Sequence, residues 1–109
     1  MSVKYCVVYV TTGSLAEAQS LSKMLVSEKL AACVNRIGPL VSTYEWQGEI
    51  QEDTEYLLVI KARRDDFELL QQRIEAMHSY DLPEILALPV EAGSANYLNW
   101  LGQATERRS

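Results

Sequence analysis

The hydrophobic pattern of the first thirty residues changes from a strand period to a helix period. Residues 3–12 are mostly β-branched or aromatic and predict a buried strand. Ser14 and Glu17 then stand in capping-box positions, where each side chain can satisfy the other residue's exposed amide. The apolar positions that follow at helical spacing are Ala18, Leu21, Met24 and Leu25. We expect this first helix to end near Glu28 and Lys29.

Two long extended segments come next. A second strand is predicted over residues 31–37 and, after an interruption at Gly38-Pro39, over residues 40–46. Glycine followed by proline does not fit a regular ladder, so a bend or bulge is expected there. Gln47-Gly48 predicts a turn into a third strand, residues 49–62. At about 3.3 Å per residue, the arm of this hairpin would project beyond a domain of ordinary size.

The last third of the chain predicts a helix, a strand and a helix. The second helix begins near Asp65, with Asp65 and Glu68 in capping-box positions. Its apolar stripe consists of Phe67, Leu70, Ile74 and Met77. Residues 84–90 form an apolar run suited to a buried place in a sheet, and Ser94 caps a final helix. The order βαββαβ plus a C-terminal helix predicts a ferredoxin-like α+β sandwich with a long hairpin, as one domain over residues 1–109.

Composition narrows the classes of partner. The formal charge of −5 and the pI of about 4.8 oppose a phosphate-binding surface, so we expect no nucleic-acid partner. Residues 3–10 are too short an apolar run for a membrane span, and no cleavage-site pattern follows them. Two cysteines are too few for a disulfide framework and indicate reduced thiols in a cytoplasmic protein. A chain of 109 residues buries a modest share of its surface, so a shared oligomeric interface would help its stability.

The predicted strand order also occurs in other functional classes. An acylphosphatase-like enzyme would need an arginine in the loop after the first strand, and residues 11–14 contain none. An RNA-binding domain would need a glycine and a second aromatic residue in the third strand, and residues 56–61 lack both. A metal-chaperone domain would need a cysteine pair after the first strand, which is also missing. We therefore predict a protein that is not an enzyme.

Four segments carry a specific resemblance. They are LAACVN (30–35), YEWQG (44–48), HSYDLPEI (78–85) and YLNW (97–100). In this order and spacing they closely resemble the CutA family of divalent-cation tolerance proteins over almost the whole chain. The resemblance implies a stable homotrimer, in which long hairpins pair across subunits and ligands bind in clefts between subunits, as in PII signalling proteins. It also implies tolerance of divalent cations, copper in particular, with no established reaction and no metal required for folding.

The same motifs nominate site residues. Cys33 and His78 are the expected metal ligands, for copper or another divalent cation, meeting in a cleft between subunits. Other residues are expected to line that cleft or the subunit interface: Lys61, Tyr80, Glu84, Trp46, Tyr97 and Trp100. Some of these residues have a packing alternative: Cys33 as a small buried strand residue, His78 at a favourable helix C-terminus, and Trp46 and Trp100 as packing contacts. A carboxylate at Glu84, entering an apolar strand, predicts a partner such as Lys61 or His78.

Two positions depart from the ligand set that the resemblance implies. Bacterial relatives described as copper-binding use a cysteine near the end of the first strand and a His-His pair before the Pro-Glu segment. This sequence has Val10 at the first position and Met77 before His78 at the second. Met77 is a soft ligand for Cu(I), but its place in the apolar stripe favours core packing. One of the three implied ligands remains.

Overall fold

The computed structural model describes residues 4–107, which form a four-stranded antiparallel sheet and three α-helices. The strands are β1 (Tyr5–Thr12), β2 (Cys33–Trp46), β3 (Glu49–Arg63) and β4 (Ile85–Pro89). The helices are α1 (Leu15–Ser27), α2 (Phe67–Met77) and α3 (Ala95–Ala104). The order in the sheet is β2-β3-β1-β4, which confirms the ferredoxin-like α+β prediction. No helix among the described residues is long and apolar enough to span a membrane.

The hairpin of β2 and β3 is the longest feature of the molecule. Its pairing runs from Cys33↔Lys61 to Trp46↔Glu49, with a register shift between Ile37 and Leu40. The expected irregularity therefore occurs at Gly38, whose φ is +150°. Gln47 and Gly48 both have positive φ, as a two-residue hairpin turn of type I′ requires. The hairpin prediction is confirmed, except that the second strand begins at Cys33 and not at residue 31.

The hydrophobic core lies between one face of the sheet and the helices α1 and α2. Alternation along the strands directs these side chains inward: Cys6, Val8 and Val10 from β1, and Leu58, Ile60 and Ala62 from β3. They meet the buried stripes Leu21/Leu25 of α1 and Leu70/Ile74 of α2. Burial raises the pKa of the Cys6 thiol, so Cys6 is a protonated core residue, as predicted.

The second helix begins differently from the prediction. Residues 64–66 form a short 3₁₀ turn, and Asp66 precedes α2 without any side-chain capping bond. The predicted capping box of Asp65 and Glu68 is therefore wrong. Asp66 instead accepts two hydrogen bonds from Arg107, at 2.8 and 2.9 Å, which tie the chain beyond α3 to the start of α2. A long-range ion pair has replaced the local cap.

The fourth strand was predicted to be buried, and that prediction is wrong for the single chain. Within residues 4–107, β4 pairs only with β1 and forms an edge of the sheet. Leu86 is 57% exposed and Leu88 is also largely exposed. An apolar run of five residues matches both a central strand and an edge strand that another chain covers.

Candidate ligand-binding cleft

The segment after α2 is held in place through the only histidine, His78. The imidazole is fully buried, and its Nε2 lies 2.8 Å from the carbonyl oxygen of Thr11 at the end of β1. The backbone N–H of Tyr80 donates to Nδ1 at 3.1 Å. Nδ1 is therefore the acceptor and Nε2 carries the proton that is donated to Thr11. Within the chain, both ring nitrogens are already occupied.

Glu17 of α1 forms hydrogen bonds to the segment that follows α2. Ser14 caps α1 by accepting from the N–H of Glu17 at 3.1 Å, as predicted. The return bond of the capping box is absent, because the Glu17 carboxylate accepts from the backbone and the hydroxyl of Ser79, at 2.7 and 3.0 Å. This half of the prediction is wrong, since the carboxylate has a tertiary partner.

The hydroxyl of Tyr80 lies over the face of β3 that is turned away from the core. That hydroxyl donates to Oε2 of Glu55 at 2.8 Å. Burial and the bond to the Glu55 carboxylate both raise the pKa of Tyr80, so the phenol stays protonated and acts as a donor. A Cβ atom at Gly13 would lie 2.9 Å from the Tyr80 oxygen, so the glycine leaves room for this contact.

A cleft of about 650 Å³ opens between this segment and the hairpin. Its floor comes from the hairpin, mainly from the face that carries Ser42, Tyr44, Trp46, Asp53 and Glu55, with Thr43 between them at the edge. Its wall comes from the segment that follows α2, with Thr11 at the end of β1: Tyr80, Asp81, Leu82 and Glu84. Three residues nominated from the sequence, Trp46, Tyr80 and Glu84, thus share one site.

The cleft is acidic. Tyr44 donates a hydrogen bond to Asp53, and this bond raises the pKa of the Tyr44 hydroxyl. Asp81 and Glu84 have no hydrogen bond or ion pair among residues 4–107. The predicted partners of Glu84 are both engaged elsewhere, since Lys61 donates to Asn35 and His78 makes the bonds described above. The predicted pairing of Glu84 is wrong for the single chain.

Cys33 and Lys61 lie at the other end of the hairpin. They are opposite each other in the register, and Lys61 in turn pairs with Val7 of β1. Val7 is four residues from Thr11, where His78 is anchored, which corresponds to about 13 Å along the strand. One chain therefore does not bring Cys33 and His78 together. No group of three His, Cys, Asp or Glu side chains among the described residues is placed to hold a metal ion.

The remaining nominated positions lie outside the cleft. Met77 is 41% exposed, so its predicted core packing is wrong for the single chain, whereas Val10 is fully buried. Tyr97 and Trp100 contact each other on α3 with their rings tilted by 43° and the ring centroids 5.5 Å apart, and both are partly exposed. Sequence reasoning missed Tyr44, Asp53, Glu55 and Asp81. The alternation of side chains about the turn would have placed Tyr44 and Asp53 on the face of Trp46 and Glu55.

A second concavity, of about 710 Å³, lies beside β4 and the 3₁₀ turn. Its charged residues have mixed signs, and Arg64 forms an ion pair at 3.6 Å with Glu68. It contains one arginine and two carboxylates, whereas the first cleft contains four carboxylates and no cation, so the second concavity favours a cationic ligand less. The acidic cleft is the better candidate site.

The environment of Glu84 predicts a pH-dependent stability. Partial burial and the nearby Glu55 raise the pKa of Glu84 above its usual 4.5. The folded state therefore holds this proton more tightly than the unfolded state does, and stability falls as the pH rises from about 4.5 through the raised pKa. We expect Glu84→Gln to raise Tm at pH 7.5 and to leave it unchanged at pH 4. Scanning calorimetry of Glu84→Gln and the exposed control Glu91→Gln checks this; an equal effect of Glu84→Gln at both pH values would contradict it.

The sheet, the projecting hairpin and the acidic cleft define an α+β protein of the ferredoxin-like class. Residues 6–104 match the family described as CutA1 divalent ion tolerance protein, and the chain belongs to that family. The divalent-cation tolerance protein CutA of Thermus thermophilus is 46% identical over 99 residues, covering 91% of this chain and 96% of the relative.

Plant relatives are longer. The chloroplastic CutA protein of Arabidopsis thaliana is 45% identical over 104 residues, which are 95% of this chain and 57% of the relative. The crystal structure of CutA1 from Oryza sativa superposes with a TM-score of 0.93 at 41% identity, covering 98% of both chains. The Thermus thermophilus structure gives a TM-score of 0.91 at 45% identity, covering 94% of this chain and 99% of that chain. The family and fold predictions are confirmed.

Proposed function

We propose that this chain is a non-enzymatic homotrimer that acts in divalent-cation tolerance and holds copper, another divalent cation or a small ligand in clefts between subunits. The observation that carries this is the position of the cleft. Part of its floor belongs to β2, which is an edge strand of the sheet. A second subunit that covers this edge would close the cleft and could contribute further ligands.

Exposed apolar side chains support the assembly. Val41 and Ile50 of the hairpin and Leu86 of β4 are each more than half exposed. Long apolar edge strands invite pairing unless another chain covers them. The proposed subunit contacts also include the partly exposed Trp46, Tyr97 and Trp100. We place the assembly in a reducing, cytoplasmic compartment, in keeping with its two free cysteines, and propose no nucleic-acid partner.

In the proposed trimer, Cys33 of one subunit and His78 of another bind the same ion. His78 would have to give up one of its two backbone hydrogen bonds to bind an ion. Oxygen ligands from Asp53, Asp81 and Glu84 are available in the cleft without such a rearrangement. The alternative is a scaffolding or PII-like signalling trimer with no direct metal role, which the lack of three converging ligands within residues 4–107 favours.

Two measurements test the proposal. Sedimentation equilibrium is expected to give three times the chain mass of 12.3 kDa; a monomer would overturn the assembly. Calorimetric titration with Cu(II) and Zn(II) is expected to show one ion per subunit and about tenfold weaker binding in Cys33→Ser or Glu84→Gln. Glu91→Gln serves as the control. Weak binding that no variant changes would favour the scaffold.

A further inference from the structure

The lining of the cleft is negatively charged and includes no compensating cationic side chain. Four carboxylates line it, from Asp53, Glu55, Asp81 and Glu84, and no lysine, arginine or histidine does. Two of them accept hydrogen bonds from tyrosine hydroxyls, which are neutral donors. The other two have no partner within residues 4–107. The charge of the lining therefore remains available to a ligand.

Glu55 shows where that charge is least solvated. The residue is only 7% exposed, and one carboxylate oxygen accepts from Tyr80 while the other has no hydrogen-bond partner among the described residues. No fully buried side-chain oxygen or nitrogen in that part of the chain lacks a partner, so this second oxygen must be accessible, and Glu55 lines the cleft. This oxygen is free to accept from a cationic group in the cleft, and a charge-assisted hydrogen bond to a carboxylate is stronger than one between neutral groups.

The arrangement of the lining distinguishes between kinds of cation. A metal ion needs several ligands that converge on one point, and no three acidic, histidine or cysteine side chains do so among residues 4–107. Separate ammonium groups need one carboxylate each, so dispersed carboxylates suit a molecule that carries several of them. The volume of the cleft, about 650 Å³, is also in the range of sites for organic ligands.

The apolar part of the lining fits the same class of ligand. Tyr44, Trp46 and Leu82 all present exposed ring or aliphatic surface to the cleft. Aromatic faces attract ammonium groups, and apolar surface packs against a methylene chain. A hydrated inorganic cation would gain nothing from these side chains.

We propose that this cleft binds organic dications of the alkyl diamine and polyamine class, with ammonium groups on the carboxylates and the methylene chain along Tyr44, Trp46 and Leu82. The site is the cleft of the proposed function, but the proposal does not depend on metal binding. Failure of the metal titration would leave it standing, and failure of the diamine titration would leave metal tolerance standing.

Calorimetry with 1,4-diaminobutane at low ionic strength tests the class of ligand. We expect saturable binding, about tenfold weaker binding in Glu55→Gln and in Glu84→Gln, and no change in Glu91→Gln. Glu55→Gln keeps an acceptor for Tyr80, and the exposed Glu84 serves as the second variant if the first is unstable. Butane-1,4-diol, which has the same length and no charge, should not bind.

Fluorescence reports the position of the ligand. The chain has two tryptophans, so Trp100→Phe leaves Trp46 as the only one, and 1,4-diaminobutane should shift its emission. Trp46→Leu should weaken binding of the diamine more than binding of Mg²⁺. The proposal is overturned if the diamine does not bind, if Glu91→Gln weakens binding as much as Glu84→Gln, or if Trp46→Leu leaves diamine binding unchanged.

Discussion

Replacing Gly38 with alanine is expected to lower the free energy of unfolding by about 3 kcal/mol or more. Gly38 has a φ of +150°, which L-residues rarely adopt. An added Cβ atom would lie 3.0 Å from the carbonyl oxygen of Glu55 and 3.2 Å from the Cα of Tyr56. Both are backbone atoms of the paired strand, so they cannot move without disturbing the ladder of β2 and β3. The denaturant midpoint at fixed protein concentration measures the effect.

Gly48 provides the matched control. It also has a positive φ, of +83°, but no atom lies within 4 Å of the position that its Cβ would occupy. Gly48→Ala should therefore cost only the conformational term, about 1 kcal/mol. The difference between the two variants reports the steric contact together with the less favourable backbone angle at Gly38. Equal losses of stability would contradict the prediction, because Gly38 combines a less favourable backbone angle with two close backbone contacts.

Truncation of Ile74 to alanine is expected to destabilise the protein by about 3 kcal/mol. Ile74 is fully buried between α2 and the sheet, in contact with the main core cluster. Removal of its side chain beyond Cβ loses apolar burial and leaves a cavity that neighbouring strands cannot fill. The unfolding free energy from urea titration, compared at one protein concentration, provides the value.

Leu69→Ala, five residues earlier on the same helix, is the control for helix propensity and for lost aliphatic atoms. Leu69 is 43% exposed and lies outside the core cluster. We expect a loss below about 1 kcal/mol. Equal losses of stability in the two variants would contradict the prediction. They would mean that the outer face of α2, which carries Leu69, contributes as much to stability as the face that carries Ile74.

The fold could be predicted from the sequence because its determinants are local. Strand alternation, the glycines at 38 and 48 and the cap at Ser14 each act over a few residues. The start of α2 could not be predicted, because Asp66 bonds to Arg107, forty-one residues away in the sequence. The exposure of β4 was also missed, because an apolar edge strand and an apolar central strand have the same composition.

The site was only partly predictable for the same physical reason. Trp46, Tyr80 and Glu84 could be nominated from motifs, and the structure places them in one cleft. The role of His78 could not, since its two backbone partners depend on how the segment after α2 folds against Thr11 and Tyr80. Nor could the sequence show that Lys61 bonds to Asn35 instead of Glu84, because that contact follows from strand register.

The central position of β1 has a consequence for synthesis on the ribosome. Its register partners extend to residue 63 on one side and to residue 89 on the other. At translation rates of about 5–20 residues per second, both edges of the nascent β1 stay unpaired for several seconds until β3 has been synthesised. The hairpin, by contrast, can close from its turn as soon as residue 63 has emerged, so it would be the first template on which β1 docks.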